Sequence, residues 1–479
     1  MEWTGLVLLV LVGFGIVVTG LPAAVILIAV AVFGAIFGVL AGEIDATTLW
    51  ALPSRLVNLL ENDLLQALPL YVTMGLLLDR LPIADALYRA GNAVLPRSPS
   101  APLVSGMMLG ALLGPMNGSV GASVLALSRV VSPRLAAEGI PAPKRHAIVA
   151  VASTLGVLVP PSLVLILLSD AMLSAHTIAV TATGRSDRVV NTQDIFHAAL
   201  LPGAIFLAIC LSLSWIGGRA AKKIPARERL TAGQAWLAVA ALASLVVLLG
   251  GVALGYFYAV EAAAMGAFAL LAAGLLTGRL HGAALSKLLS EAIALTGALF
   301  SLLVAATTFT MILRLLGTAD LVSKMVSTIP GGDIAAVAVV LSVLGLSAFV
   351  LDAFEIIFVI VPIVIPPLLI RIADARWVAV LVLLTLQTSF LLPPFGYALM
   401  MVRGTLRYAG SLGALTRALF PFLLAQWLAL ATVLVFPQLA HLGEKESDRT
   451  RVTPPVSAEE LNRRLEDMLT PIPELVPPK

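Results

Sequence analysis

One short stretch of this sequence, NGSVGAS, places oxygen-bearing side chains beside glycines inside an apolar segment. Asn117, Ser119 and Ser123 offer amide and hydroxyl oxygens, and Gly118 allows the backbone to turn tightly between them. Hard cations bind oxygen ligands of this kind, although the same hydroxyls could instead bond within a helix. The stretch is therefore a candidate site for Na⁺.

Two proline pairs provide a second kind of candidate. Pro160 and Pro161 interrupt the apolar run STLGVLVPPSLVL, and another pair interrupts LQTSFLLPPFGYALM. Proline removes a backbone donor and clashes with the preceding turn, so each pair predicts a helix that is broken where little water reaches it. The first break would free backbone carbonyls to bind a cation or a solute. The candidate ligands there are Gly156, Val159 and Pro160.

The second break carries hydroxyl groups of its own. Thr388 and Ser389 lie shortly before Pro393 and Pro394 in an otherwise apolar run. We predict a second binding site formed by these hydroxyls, by the backbone at Pro393 and by the tip of a facing helical hairpin. The predicted tip residues are Leu351 and Asp352.

Asp352 and Glu355 need separate consideration because an intramembrane carboxylate is costly and usually faces a cavity or a partner. Two interpretations remain open: these residues belong to a binding site, or they are water-exposed residues that cap a hairpin helix. For Glu261, in YAVEAAAMG, we expect a structural role at a helix terminus. The five histidines show no ligand spacing, so a histidine metal site is not predicted.

The elements that must position these residues are membrane-spanning helices. Of the 479 residues, 59% are hydrophobic and only 12% are charged, and the mean hydropathy is +1.02. Soluble domains carry about twice this share of charge. Cys210, the only cysteine, excludes a disulfide framework, and the net charge of +3 is too small to indicate a nucleic-acid partner. We therefore predict an all-α polytopic membrane protein.

Apolar segments recur along the chain, and most are suited to cross the bilayer once, since a crossing needs about 20 helical residues. The first, near residues 5–20, is predicted to be a retained span rather than a signal peptide, because Glu2 replaces a basic leading region. Segments 101–131 and 334–370 are interrupted at GPMNGS and VLDAFE, so each is predicted to be a re-entrant hairpin. Segments 146–169 and 377–402 are the predicted proline-broken helices.

Basic residues set the expected orientation. If the basic loop GGRAAKKIPARER is cytoplasmic, most other basic loop residues also fall on the inner side, as the positive-inside rule requires. Both termini then face outward, and the chain passes the two proline pairs in opposite directions. This pattern is an inverted repeat, in which broken helices and hairpin tips meet near the membrane midplane.

The repeat divides the chain into five predicted regions. Residues 1–65 form N-terminal scaffold spans, 66–217 a first repeat, 218–232 a cytoplasmic basic loop, 233–440 a second repeat and 441–479 a polar, proline-rich tail. We expect the tail to be mostly loop or disordered.

The amino-acid sequences of several segments resemble one transporter family. ALPLYVTMGLLLDRLPIADALY, GALLGPMNGSVGASVLALSRVVSPRLAAEGIP and VLDAFEIIFVIVPIVIPP resemble, in order, the large membrane subunit (DctM type) of tripartite ATP-independent periplasmic (TRAP) transporters, and the resemblance continues to about residue 436. It implies a sodium-coupled, elevator-type importer in the bacterial inner membrane. It also implies two partners, a periplasmic solute-binding protein (DctP type) and a small four-helix membrane subunit (DctQ type), and places the first sodium site at the first hairpin tip and first helix break.

Other kinds of membrane protein share some of these features. A stand-alone sodium-coupled carboxylate transporter shares hairpins and inverted repeats but needs no binding protein, and a channel would conduct without one. An intramembrane hydrolase is disfavoured because Asp352 has no second aspartate in a comparable membrane position. Since Arg314 is the only cation expected within the membrane core, an anionic solute would rely on Na⁺ and helix N-termini for counter-charge. A small organic acid is the expected solute.

Overall fold

The computed structural model describes residues 3–96, 98–185, 190–219, 230–393, 396–408 and 410–441. Every regular element in these ranges is helical, which confirms the predicted all-α fold. Nine of the described helices are long and apolar enough to cross a membrane, and a tenth candidate span is a helix pair bent by 65°. The predicted tail from residue 442 onward, most of the basic loop and Pro394 lie outside the described residues.

The first half of the chain contains ten α-helices, including one hairpin and one broken helix. They are α1 (Thr4–Thr19), α2 (Ala23–Leu40), α3 (Leu52–Leu60), α4 (Ala67–Arg80), α5 (Ile83–Val94), α6 (Ala101–Leu113), α7 (Val120–Ala137), α8 (Ala142–Leu155), α9 (Leu163–Thr183) and α10 (Thr192–Gly218). The predicted first hairpin is the pair α6 and α7, which is interrupted at residues 114–119 as expected. The predicted broken helix is the pair α8 and α9, and α9 continues well beyond its predicted limit at residue 169.

The second half repeats this order of elements. Its helices are α11 (Ala232–Ala253), α12 (Ala259–Leu276), α13 (Gly282–Leu315), α14 (Thr318–Ser327), α15 (Gly332–Ser347), α16 (Ala353–Glu355), α17 (Val361–Arg371), α18 (Ala375–Leu391), α19 (Tyr397–Thr405) and α20 (Leu412–Val435). A π-helical turn at Ile356–Ile360 joins α16 to α17, so the second hairpin comprises α15 to α17. The predicted second break separates α18 from α19.

Short amphipathic helices were not among the predicted segments. α3, α5 and α14 are 9, 12 and 10 residues long and mix charged with apolar residues, so none produces a continuous apolar run. α5 nevertheless buries one face, which includes Ile83, Leu87 and Tyr88. Periodicity rather than total hydrophobicity is the signal that reveals such helices.

Helix packing divides the fold into two groups. In the first, here called the flanking group, α4 packs against α12 and α13, α2 against α1 and α13, and α11 against α12. In the second, here called the hairpin group, the first hairpin packs against α8, α10 and α19, and the second hairpin packs against α9 and α18. α10 and α20 in turn pack against the broken helices and against each other. α5 contacts α11 and α6, and α14 contacts α13 and α17, so these two helices connect the groups.

Candidate functional site

The tip of the first hairpin lies directly against the first helix break. Gly114, at the end of α6, and Gly156, at the end of α8, touch through their backbones: a Cβ atom added at Gly156 would lie 2.3 Å from the Cα of Gly114. A Cβ at Gly114 would likewise lie 2.5 Å from the Cα of Gly156. Since real Cβ atoms do not approach backbone so closely, glycine at both positions permits the two helix ends to meet.

The same tip also contacts the flanking group through backbone. A Cβ atom at Gly75 of α4 would lie 2.5 Å from the carbonyl oxygen of Asn117. Gly118 has a φ angle of +67° and lies beside the backbone of Tyr71, also on α4. The positive φ explains the choice of glycine at this turn.

A small cavity lies where the hairpin tip and the break meet. Its volume is about 10 Å³, which is about the space of a single water molecule. It is lined by Gly114, Gly118, Ser119, Val120, Ser123, Ser153, Gly156, Val157, Ser162, Leu163 and Val164. We call it the tip cavity.

The serine hydroxyls around the tip cavity present oxygen lone pairs rather than protons. Ser123 donates to the carbonyl of Ser119 (3.3 Å), Ser153 to that of Ala150 (2.7 Å) and Ser162 to that of Val157 (2.8 Å). A hydroxyl oxygen that has donated its proton retains acceptor capacity. These oxygens fit the donor set of a hard cation such as Na⁺.

Helix ends give the tip cavity a mixed potential. α7 begins after Ser119, whose Oγ accepts from the Ala122 amide, and α9 begins after Ser162, whose Oγ accepts from the Leu165 amide. Both N-termini therefore lie at the cavity wall, where their amides favour negative charge. The adjoining ends of α6 and α8 contribute carbonyl oxygens, which favour a cation. The arrangement has the elements needed to hold a cation and an anionic group near each other.

The structure brings together most of the predicted first site. Gly118, Ser119, Ser123 and Gly156 line the tip cavity, and Asn117 donates its side-chain amide to Ser123 Oγ at 3.0 Å. Val159 and Pro160 belong to the same break but are not among the lining residues. The Val159 amide closes the turn by donating to the Gly156 carbonyl at 3.3 Å.

Sequence reasoning missed Ser153 and Ser162. A signal was present in both cases: Ser153 stands one turn before Gly156 on the same helix, and Ser162 follows the proline pair at the position where the next helix needs an N-cap.

The second break has a different environment. The hydroxyls of Thr388 and Ser389 donate to carbonyls of their own helix, those of Leu384 (2.8 Å) and Leu386 (2.5 Å). Both residues line a second cavity together with Phe349 of the second hairpin tip and Leu392. Leu351, Asp352 and Pro393 are not among its lining residues.

The carboxylates of the second hairpin tip cap a helix. Asp352 Oδ1 accepts from the amides of Phe354 (2.8 Å) and Glu355 (3.1 Å), and Glu355 Oε2 accepts from the Asp352 amide (3.1 Å). This reciprocal arrangement is a capping box. Glu261 serves α12 in a similar way by accepting from the Tyr258 amide at 2.9 Å.

Tyr397 is a further residue that sequence reasoning did not single out. It begins α19 after the second break, and its hydroxyl lies beside Gly121 of the first hairpin, where an added Cβ would be only 2.7 Å away. Its ring packs against that of Phe390 on α18. Tyr397 thus connects the second break to the first hairpin.

Charged side chains contribute little to either cavity. Arg314 is exposed near the end of α13 and lines neither the tip cavity nor the second cavity. Asp170 lies within α9, just past the predicted segment limit, where it accepts from the Asn62 side chain at 2.9 Å. Within the described ranges no three His, Cys, Asp or Glu side chains gather as a metal site. A cation here would be held by hydroxyl and carbonyl oxygens.

Comparisons with known proteins agree on one family. Residues 9–439 match the family described as "Tripartite ATP-independent periplasmic transporter, DctM component". The C4-dicarboxylate TRAP transporter large permease protein DctM of Pseudomonas aeruginosa is 24% identical over 81% of this chain and 88% of that protein. The protein of the same name from Rhodobacter capsulatus is 26% identical over 53% of this chain, and the match spans 56% of that relative. The sialic acid TRAP transporter permease protein SiaT of Haemophilus influenzae is 23% identical over 81% of this chain and 61% of that protein.

A solved structure shows the same fold. The YdaH transporter of Alcanivorax borkumensis superimposes with a TM-score of 0.64 at 15% sequence identity, over 82% of this chain and 90% of that one. The likeness supports the polytopic helical fold predicted from the sequence.

Proposed function

This chain belongs to the DctM component family of tripartite ATP-independent periplasmic transporters, and we propose on that basis that it is the large permease subunit of a sodium-coupled secondary importer. The proposed solute is a small organic acid delivered by a periplasmic binding protein. The observation that carries the proposal is the tip cavity, where serine oxygens and four helix ends converge.

Sodium coupling is supported by the donor set of the tip cavity. Oxygens of Ser119, Ser123, Ser153 and Ser162 line a space of about 10 Å³, too small for an organic solute. Bound Na⁺ would supply positive charge for an anionic solute nearby. The residues of this chain bind the ion, fix the helix ends around it and exclude bulk water.

The organic-acid proposal rests on where positive potential is found. Arg314 lies outside both cavities, so the amide ends of α7 and α9 are the protein's own source of positive potential at the tip cavity. The relatives named above are described as permeases for C4-dicarboxylates or sialic acid, and both solutes are carboxylic acids. This chemistry matches a carboxylate held between Na⁺ and helix N-termini.

The proposed partners follow from the family. They are a small four-helix membrane subunit of the DctQ type and a solute-binding protein of the DctP type, in the inner membrane of a bacterium with both termini on the periplasmic side. The flanking group offers apolar surface for the small subunit: Phe14, Phe33 and Trp236 are each more than half exposed. We propose that this group is static and that the hairpin group moves across the membrane as an elevator.

Reconstitution tests sodium coupling. Liposomes that contain the permease, its small subunit and its binding protein would be loaded with K⁺, and solute uptake would be measured with Na⁺, K⁺ or choline outside. We expect uptake only with external Na⁺ and no requirement for ATP. Undiminished uptake in choline would refute sodium coupling.

Two further experiments test the class of the solute and the need for a binding protein. A panel of carboxylates, polyols and sugars, each offered to the cognate binding protein, tests the solute class; tight binding of a polyol or sugar alone would refute an organic acid. Leaving out the binding protein separates the proposal from a stand-alone carboxylate transporter, which would continue to take up solute.

A further inference from the structure

The second cavity has a volume of about 560 Å³ and lies between α15, α18 and α20. Its walls are mostly apolar, with Leu341 on α15 and Leu430 and Leu434 on α20. This volume is large enough for a small ligand or a section of a long hydrocarbon chain.

The corresponding place in the first half of the chain is packed more closely. There α10 packs directly against α6 and α6 against α8, although a pocket of about 420 Å³ remains between α6 and α10, lined by Val104, Leu211, Ser212, Trp215 and Ile216. In the second half α15 and α18 pack together, but the cavity separates α15 from α20. The two halves therefore share an order of elements and an opening at this interface. The cavity of the second half also reaches the broken helix α18, whereas the lining of the first-half pocket includes no residue of α8.

The four hydroxyl groups of the second cavity donate their protons within their own helices. Ser342 donates to the Ala338 carbonyl at 2.7 Å and Thr385 to the Leu381 carbonyl at 2.8 Å. Thr388 and Ser389 also donate within α18. Water needs two to four polar partners, and the alanine, leucine and phenylalanine side chains that form most of the lining offer none. An empty cavity would lose the dispersion contacts of its lining atoms.

The mouth of the cavity opens on the outer surface of the helical assembly. Leu346 on α15 is 66% exposed and Trp427 on α20 is 49% exposed, and both line the cavity. In a membrane protein such apolar side chains face hydrocarbon, so the cavity is continuous with the bilayer. We propose that a phospholipid acyl chain enters between α15 and α20 and occupies this cavity, in contact with α18.

Photo-crosslinking would test this proposal in membranes. The permease would be reconstituted in nanodiscs that contain phosphatidylcholine with a diazirine near the end of one acyl chain, irradiated, and its adducts located by mass spectrometry. Thr385, Thr388 and Ser389 are each less than 10% exposed, and they line the cavity. We expect adducts on these residues as well as on the exposed faces of α15 and α20.

A matched pair of variants distinguishes labelling in the cavity from labelling of the rest of the lipid-facing surface. Ala431→Phe places a ring in the cavity and should abolish the adducts on residues 385–389. Leu428→Phe, on the same helix but outside the cavity and 57% exposed, should leave them unchanged.

Two results would overturn the proposal. One is a wild-type adduct map that shows labelled exposed faces of α15 and α20 but no label on residues 385–389. The other is an equal yield of those adducts in Ala431→Phe and wild type. The wild-type map does not depend on the folding of any variant, and neither result depends on whether transport is coupled to Na⁺.

Discussion

At the scale of single residues, the serines of the tip cavity have two roles. Ser119 and Ser162 satisfy backbone amides at the starts of α7 and α9, and the same oxygens lie on the cavity wall. Ser123 is linked to Asn117 by a side-chain hydrogen bond, so the hairpin turn and the proposed ligand share one network. Removing an oxygen here should therefore weaken both ion binding and the local hydrogen bonding of the hairpin tip.

Ser123→Ala tests this expectation. It removes one oxygen from the tip cavity and leaves the buried amide of Asn117 without its acceptor. We expect the Na⁺ concentration for half-maximal uptake to rise by about tenfold, which corresponds to about 1.4 kcal/mol.

Ser128→Ala is the matched control for that experiment. Ser128 is buried on the same helix but does not line the cavity, and its hydroxyl has no hydrogen-bond partner. Its Na⁺ dependence should equal that of wild type. A similar change in both variants would show that the effect is not specific to the cavity.

At the scale of elements, a few polar contacts hold the hairpin group against the segments that precede α4. Asn62 lies in the connection between α3 and α4, and it donates to Asp170 in the middle of α9. Its Oδ1 also accepts from the Leu64 amide at 2.9 Å, which fixes its orientation. Asp170 is half-buried, so it depends on this partner more than a surface carboxylate would.

An exchange of these two residues should reveal their coupling. Asn62→Asp alone opposes two carboxylates and should lower the midpoint of thermal unfolding, whereas Asp170→Asn alone retains a hydrogen bond between amides and should have a smaller effect. The double exchange restores an amide–carboxylate pair and should recover stability, with a coupling of about 1 kcal/mol. Additive effects of the two changes would mean that the contact does not contribute.

At the scale of the whole molecule, the question is whether the hairpin group moves relative to the flanking group. Arg129 of α7 and Asp79 of α4 form an ion pair at 2.6 Å between the groups. Arg80 of α4 and Glu291 of α13 form one at 2.5 Å within the flanking group. These two pairs provide a matched comparison, because α4 contributes neighbouring residues to both.

Crosslinking of cysteine pairs would distinguish an elevator from a static bundle. In a background with Cys210→Ala, a short bifunctional thiol reagent should join cysteines at positions 79 and 129 and stop uptake. Cysteines at positions 80 and 291 should crosslink with uptake preserved. If both crosslinked proteins transport solute at the wild-type rate, the proposed movement is wrong.

Much of the fold could be predicted because its signals are local. Proline pairs and the interruptions GPMNGS and VLDAFE located both breaks and both hairpin tips, since these residues cannot continue a helix in an apolar environment. The clustering of Ser119, Ser123 and Gly156 followed from the same reasoning. The positions of Ser153 and Tyr397 depend on how distant helices pack, and the local pattern does not encode that packing. The second cavity could not be predicted from the sequence either, because it arises from a gap between the distant helices α15 and α20.

The backbone contact between Gly75 and Asn117 has a kinetic consequence. Interlocked side chains at a helix interface must withdraw from one another before the helices can shift, which adds to the activation barrier. At Gly75 no side chain of α4 protrudes toward the hairpin tip, and Gly118 presents none toward Tyr71. The first hairpin therefore rests on a smooth section of α4, and if the hairpin group moves as proposed, this contact should add little to the barrier.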